Sequence, residues 1–370
     1  MKTSHEIVFK NAVDLMQKIS PNSIDLVVTS PPYPMITMWD DTFIKQNPEI
    51  IDALKKNNDD KAFEMMHSLL DPVWKQLFMV LKKGGIACIN IGDAVRTIND
   101  HFRLYQNHAR IVKSMLDTGF SSLPCIIWRK QTNAPNKFMG SGMLPAGAYV
   151  TLEHEYILIF RKGEKREFLT EKEKAKRHES AYFWEERNNW FSDVWMDLKG
   201  ASQTQFNKKT RDRSAAFPFE LPYRLINMFS VKEDLVIDPF LGTGTTMIAA
   251  AASGRNSIGI EMDSGLKKDI YLNMQKVVGF SNERIKQRLV EHMNFVKKRE
   301  MEKKEFKHQN IHYKFPVITN QEKDLFFNVP LRSKKTCENV FEVNYSEEPS
   351  YALNIYYGDI FTSRPLRFEI

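Results

Sequence analysis

The 370-residue chain predicts an α/β fold built on a mostly parallel, doubly wound sheet, and three stretches carry that prediction. Ile24-Asp25-Leu26-Val27-Val28-Thr29 is short, mostly apolar and rich in β-branched residues, with Pro21-Asn22 before it and a proline pair after it, as a buried parallel strand requires. Leu235-Val236-Ile237-Asp238 leads through Pro239-Phe240-Leu241-Gly242-Thr243-Gly244-Thr245-Thr246 into an alanine-rich helix that Gly254 can stop. Ser257-Ile258-Gly259-Ile260-Glu261 then reads as a second short strand, ending in a carboxylate about 20 residues after the glycine loop.

Taken in chain order, the first strand runs into Ser30-Pro31-Pro32-Tyr33. Each proline fixes φ and removes a donor, so the loop offers stiffly held carbonyls beside a hydroxyl and an aromatic ring, a combination that can grip a planar amine. The same four residues also suit an ordinary strand-ending turn. Leu81-Lys82-Lys83-Gly84-Gly85 reads as a helix end and turn before a strand over Ile86 to Ile91. A helix over Arg110 to Gly119 follows, then strands over Leu123 to Trp128 and Glu153 to Phe160 that pair with each other. Phe217 to Pro222 leads into a helix over Tyr223 to Phe229. At the glycine loop, Gly242 and Gly244 let the backbone turn tightly and approach a ligand, and Glu261 stands where such folds hold ribose hydroxyls. The third glycine of the dinucleotide fingerprint is missing and there is no phosphate loop ending in Gly-Lys-Ser/Thr, so neither NAD nor ATP is favoured.

The rest of the chain is assigned by composition. Residues 1–280 form one catalytic domain with an insert at about 162–213, and 281–370 form a small second unit: Asn282 to about Gln309 has the charge density of a long solvated helix, and Ile311 to Ile370 is more strand-like and aromatic. A hydrophobic content of 42% over this length buries a full α/β core plus an appendage. Three cysteines without paired spacing argue against a disulfide framework or a zinc site. No stretch is apolar enough to span a membrane and Met1 to Glu6 has no signal-peptide core, so a cytoplasmic location is expected. A net charge of +7 and a pI near 9.0 suit a phosphate-bearing partner. There are no internal repeats.

The Ser30 to Tyr33 loop, the Asp-Pro-Phe opening at 238 to 240, the Gly-Thr-Gly-Thr run and the acidic strand end at Glu261 together resemble the amino-methyltransferases of DNA, over most of residues 5 to 280. With the Ser-Pro-Pro-Tyr loop ahead of the glycine loop, the order is that of the family's beta subgroup. The resemblance implies the Rossmann-like fold of S-adenosylmethionine-dependent methyltransferases with an antiparallel edge hairpin. It implies S-adenosyl-L-methionine as cofactor, held by Asp238, Pro239, Phe240, Gly242, Gly244, Thr245 and Glu261, with Phe217 and Phe240 walling the pocket. It implies catalysis by Ser30, Pro31, Pro32 and Tyr33, with no metal. Lys10-Asn11 departs from the Gly-Asp that many relatives carry ahead of the first helix, which leaves a cofactor role for Asn11 unsupported.

The chemistry follows from the residue types. An exocyclic base amine is a poor nucleophile, because its lone pair is delocalised into the ring. If the Ser30 side chain and the Pro31 carbonyl accept the two amine hydrogens, the nitrogen is drawn toward tetrahedral geometry and its lone pair turns toward the sulfonium methyl. The base must first leave the duplex, and Tyr33 is expected to stack on it. Ser at position 30 usually accompanies cytosine N4 in the resembled family, where Asp accompanies adenine N6; adenine is therefore the alternative, with RNA or a protein amide behind it. A binding module without catalysis would keep the glycine loop but has no need of Ser30 to Tyr33. Pro124-Cys125 and Glu338-Asn339-Val340 echo the motifs of carbon-5 cytosine methyltransferases, but Cys125 sits in an apolar strand with no group to lower its thiol pKa.

The expected partner is double-stranded DNA, with a separate restriction endonuclease as the usual companion of this family and the oligomeric state, monomer or homodimer, left open. Arg129, Lys130 and Lys137, then Lys208, Lys209 and Arg211, are the expected DNA contacts. The insert interleaves charges with Tyr182, Phe183, Trp184, Trp190, Phe191 and Trp195, which offer wedging surfaces or form its own small core. Asn133 to Tyr149 is a long glycine- and proline-punctuated loop placed to close over the base or groove. Tyr33 to Asp41 is read as the pocket rim, with Trp39 and Asp40 facing it.

Overall fold

The computed structural model describes residues 1–98, 100–130, 142–198 and 217–348. Among these, ten strands form one sheet in the order Pro330–Cys337, Val340–Tyr345, Lys2–Phe9, Asn256–Glu261, Leu235–Asp238, Ile24–Thr29, Leu81–Ile91, His154–Arg161, Ser121–Arg129 and Val194–Trp195. From Lys2–Phe9 to Leu81–Ile91 neighbouring strands run parallel. His154–Arg161 and Ser121–Arg129 then form the expected antiparallel pair, with Ile127 opposite Tyr156.

Ile24–Thr29 is buried at all six positions, as a strand covered on both faces must be. Its side chains alternate between two layers. Leu26 and Val28 join Val236 in a core closed by the helices Glu220–Phe229, Thr245–Ala252 and the first turns of Lys267–Met301. Val27 joins Ile237, Ile89 and Ile91 in a second core closed by Asp59–Val80 and Asn107–Thr118, where Trp74 is fully buried. Gly84, at φ +82°, makes the turn inside Leu81–Ile91; a Cβ there would stand 2.6 Å from the Arg166 backbone nitrogen.

The C-terminal region differs from the sequence reading in two ways. The helix expected as solvated from Asn282 to about Gln309 runs instead over Lys267–Met301 and buries one face, including Ile285, Leu289, Met293 and the charged Arg284 and Arg288. Each buried cation has a carboxylate partner, Glu220 for Arg284 and Glu186 for Arg288, so the charge count misled where the pairing decides. The hairpin Pro330–Cys337/Val340–Tyr345 pairs antiparallel onto Lys2–Phe9, with Thr3 opposite Val343, and so extends the main sheet. In the insert, Phe183, Trp190 and Trp195 are buried, and Phe183 stacks on His292 of the long helix with ring centroids 4.0 Å apart. Phe183 belongs to a core shared with Leu289, Phe315 and Phe327, and Trp195 to the core that holds Leu26 and Val28, rather than to a core of the insert's own. Trp184 and Phe191 are 37% and 39% exposed. No helix among the described residues is long and apolar enough to cross a membrane.

Candidate active site

The two signature loops leave the carboxyl ends of neighbouring parallel strands, Ile24–Thr29 and Leu235–Asp238, paired at Leu26 with Val236 and Val27 with Ile237. The next strand after Ile24–Thr29 adds on one side and the next after Leu235–Asp238 adds on the other, so the cleft between the loops is the point where the winding reverses. Asp238 holds the two together. Its Oδ1 accepts from the Thr29 hydroxyl at 2.6 Å and from Phe240 N at 3.0 Å, and its Oδ2 from the Thr246 hydroxyl at 2.6 Å. Burial pushes its carboxyl up to about 6, against the pull of these donors.

The glycine loop turns at Gly242 and Gly244, both with left-handed φ, +56° and +90°. Only glycine adopts these cheaply, and a Cβ on Gly242 would meet nothing within 4 Å, which leaves open space beside the loop. Gly244 precedes the helix Thr245–Ala252, whose first N–H groups face the cleft end of the sheet. Glu261 closes the far side: Oε2 accepts from Gly242 N and Oε1 from Asp263 N, each at 2.8 Å, and burial raises its pKa. Pro239 precedes this turn in the loop, and Thr245 opens the helix after it. Phe240 packs edge-on against Trp74 with centroids 6.3 Å apart, on the side of the second core, while Phe217 is buried in the opposite layer, the core that also holds Leu26 and Val28. The two rings thus lie in different layers of the fold. Asn11 Oδ1 accepts from Val13 N at 2.9 Å and serves as a helix cap.

In the other loop, Ser30 is half-buried and Tyr33 is 5% exposed. The Tyr33 ring, expected as a stacking face, is packed among the second core, against Gly92, where a Cβ would stand 3.0 Å from the ring. Its hydroxyl is the centre of a network that sequence reading did not find. Tyr33 donates to Glu155 Oε2 at 3.0 Å, and Ser30 Oγ donates to the Tyr33 oxygen at 3.2 Å. Asn90 Nδ2 donates to both Tyr33 and Glu155, at 2.9 and 2.7 Å. Lys130 Nζ completes the group on Glu155 Oε1 at 2.8 Å. Burial, then the Glu155 charge, raise the Tyr33 phenol well above its usual range. The available signal was a single asparagine inside the apolar run Ile86 to Ile91 and an acid at the mouth of the strand His154–Arg161.

Of the rim, Asp40 forms a two-pronged ion pair with Arg96 at 2.9 and 2.8 Å, so its carboxylate is taken, and Trp39 packs against the second core. Arg129 pairs with Glu153 at 3.2 Å, and Lys130 belongs to the network above. Lys137, Lys208, Lys209 and Arg211, and the first half of the Asn133 to Tyr149 loop, lie outside the described residues. Cys125 sits in the strand Ser121–Arg129, packed against the second core. Asn339 and Glu338 stand at a hairpin turn, bonded to Tyr271 and Lys267.

The chain matches the family model of N6/N4 DNA methylases, described as DNA methylase, over residues 24–272, which takes in both loops. Type II methyltransferase M.MthZI of Methanothermobacter thermautotrophicus is 52% identical over 348 residues, 94% of this chain and 96% of the relative. Type II methyltransferase M.MjaI of Methanocaldococcus jannaschii is 48% identical over 294 residues, 76% and 94% of the two chains. Among solved structures, a putative DNA modification methylase of Thermus thermophilus, complexed with S-adenosyl-L-methionine, superposes with a TM-score of 0.58 at 29% identity, covering 74% of this chain and 97% of that one. The cytosine-N4-specific PvuII DNA methyltransferase shares the fold, with a TM-score of 0.50 at 17% identity. Fold, loop order and relatives agree: the chain belongs to the N6/N4 DNA methylase family.

Proposed function

We propose that this protein is the modification methyltransferase of a type II restriction-modification system and that it methylates the exocyclic N4 amine of cytosine in double-stranded DNA. The first part draws on relatives described as type II methyltransferases that align along nearly their whole length. The base assignment rests on one observation, the hydroxyl of Ser30 where a carboxylate would favour adenine. A restriction endonuclease acting separately is the expected companion.

The methyl donor is S-adenosyl-L-methionine, the molecule held by the Thermus thermophilus relative, and when bound it supplies an electrophilic methyl group. The residues present fit it. The open space beside Gly242 admits a ligand against the loop backbone, and Glu261 offers the acceptor for ribose hydroxyls. Phe240 and Phe217 give apolar walls from different layers of the fold, and an aromatic face near a sulfonium adds ~1 kcal/mol of cation–π attraction.

At the facing loop, Ser30 Oγ and the Pro31 carbonyl accept the two hydrogens of the extruded amine. That turns the nitrogen lone pair away from the ring and toward the cleft between the loops. Pro32 stiffens the turn and Tyr33 anchors it from below. Duplex DNA is gripped by Arg129 and Lys130 with Lys137, Lys208, Lys209 and Arg211, and Trp184 and Phe191 offer exposed rings at its edge. Transfer of labelled methyl groups to duplex DNA, RNA and protein in parallel tests this reading: DNA alone should be labelled. Label confined to RNA or to protein would overturn it.

A further inference from the structure

We propose that Glu155 is a positioning residue of the transfer: through Tyr33 it dictates the direction of the Ser30 hydroxyl, so that Ser30 Oγ meets the target amine only as an acceptor. The inference rests on the methyl-transfer reading above and on Ser30 as the amine's acceptor.

The need for such a device follows from replacing a carboxylate by a hydroxyl. A carboxylate can only accept, whereas a serine hydroxyl carries one proton and two lone pairs and rotates freely. If that proton pointed at the amine nitrogen, it would occupy the lone pair that has to attack the methyl group. The network settles the direction by elimination. Glu155 is used as an acceptor at both oxygens, by Lys130 Nζ at Oε1 and Asn90 Nδ2 at Oε2, and the Tyr33 hydroxyl donates to Oε2 at 3.0 Å. The Tyr33 oxygen is left with two acceptor positions. Asn90 Nδ2 fills one at 2.9 Å, and the Ser30 hydroxyl fills the other at 3.2 Å. The serine proton is thereby spent inward and both Ser30 lone pairs face outward. Successive bonds of one sense also polarise each other and strengthen the terminal acceptor.

Two further observations support the assignment. The Glu155 carboxylate is buried beside the loop and carries the Lys130 ammonium at 2.8 Å, a charge pairing that a mere plug of the same volume has no need of. The Tyr33 ring is held too tightly by its neighbours to reorient, and its phenol keeps its proton because burial and Glu155 both raise its pKa.

Single-turnover methyl transfer to duplex DNA by the full chain tests this, alongside S-adenosyl-L-methionine affinity, DNA affinity and thermal midpoint. Glu155→Gln places an amide N–H against Tyr33, and Tyr33→Phe removes the relay atom with little change of volume. Each should slow transfer roughly 10- to 100-fold with both affinities within about twofold of wild type. The double variant should be no slower than the slower single one, and on a Ser30→Ala background Glu155→Gln should leave the residual rate within about twofold. An unchanged rate in Glu155→Gln, losses that multiply in the double variant, or a rate that falls only in step with cofactor affinity or melting temperature would overturn the proposal. If Glu155→Gln does not fold, the Tyr33→Phe and Ser30→Ala cycle carries the same prediction of non-additivity. A wild-type protein that methylates DNA while these variants behave additively refutes this inference alone; a wild-type protein that methylates no DNA refutes the functional reading with it.

Discussion

The Thr29 hydroxyl donates to Asp238 Oδ1 across 2.6 Å, a bond between residues 209 positions apart that ties the strand carrying Ser30 to the head of the glycine loop. Both ends of this bond are buried, Thr29 at 1% and Asp238 at 2% exposure, so it acts in a medium of low dielectric where geometry is enforced strongly. This side-chain contact adds to the pairing of the two strands in holding the Ser30 loop and the glycine loop at a fixed spacing.

Thr29→Val keeps the shape and removes the donor. Phe240 N and Thr246 still serve Asp238, so the protein should fold, with a loss of about 1 kcal/mol. Cofactor affinity and transfer rate should both fall, because the two loops lose their common reference. Calorimetric titration with S-adenosyl-L-methionine beside a denaturant melt measures both; unchanged affinity in a destabilised protein would limit Thr29 to a role in folding.

Asp238 also predicts a pH dependence. Its folded pKa, about 6, lies above the unfolded value of 3.8, so its contribution is fully present below pH 3.8 and is lost as pH rises through 6. The size is about 3 kcal/mol, from 1.36 kcal/mol per pH unit. Relative to Asp238→Asn, which does not titrate, wild type should lose stability between pH 4 and 6 and then run parallel. Denaturant melts across that range check the sign; a wild type that gains on the variant as pH rises would show that the three donors outweigh desolvation.

Glu261 binds two backbone N–H groups and is the proposed acceptor for ribose hydroxyls. Glu261→Ala should weaken S-adenosyl-L-methionine roughly 10- to 100-fold, the loss expected for charge-assisted bonds. Transfer at saturating cofactor should change little. A fall in the saturated rate with unchanged affinity would move Glu261 from binding to catalysis.

How much of this was legible in the sequence depended on range. Pro31-Pro32 and Gly242-Thr243-Gly244 act on their own few residues, so the strand ends at Thr29 and Asp238 and the loops after them could be placed from the chain alone. The pairing of Ser121–Arg129 with His154–Arg161 was likewise readable from two apolar runs. The hairpin at 330–345 was not, because its place beside Lys2–Phe9 is fixed by a contact across the whole chain. Arg284 and Arg288 looked like solvated charges because Glu220 and Glu186 stand 64 and 102 positions away. Tyr33 read as a stacking ring for the same reason: Asn90 and Glu155, which claim its hydroxyl, come from two other strands.

The buried pair of Arg288 with Glu186, 3% and 9% exposed, links the long helix to the insert. Arg288→Met leaves Glu186 buried without its partner and should cost about 3–5 kcal/mol. Adding Glu186→Gln should recover part of that loss. Denaturant melts of the two singles and the double measure it; simple additivity would show that the pair is not coupled.

Ser30, at the head of its loop, is proposed to direct methylation to cytosine N4. Nucleoside mass spectrometry of DNA from a methylation-free host expressing this chain, compared with its Ser30→Ala variant, tests it most directly. N4-methylcytosine is expected with the wild-type chain and a far smaller amount with the variant, while the variant still binds S-adenosyl-L-methionine. N6-methyladenine as the only modified base, or N4-methylcytosine at the wild-type level in Ser30→Ala, would contradict it.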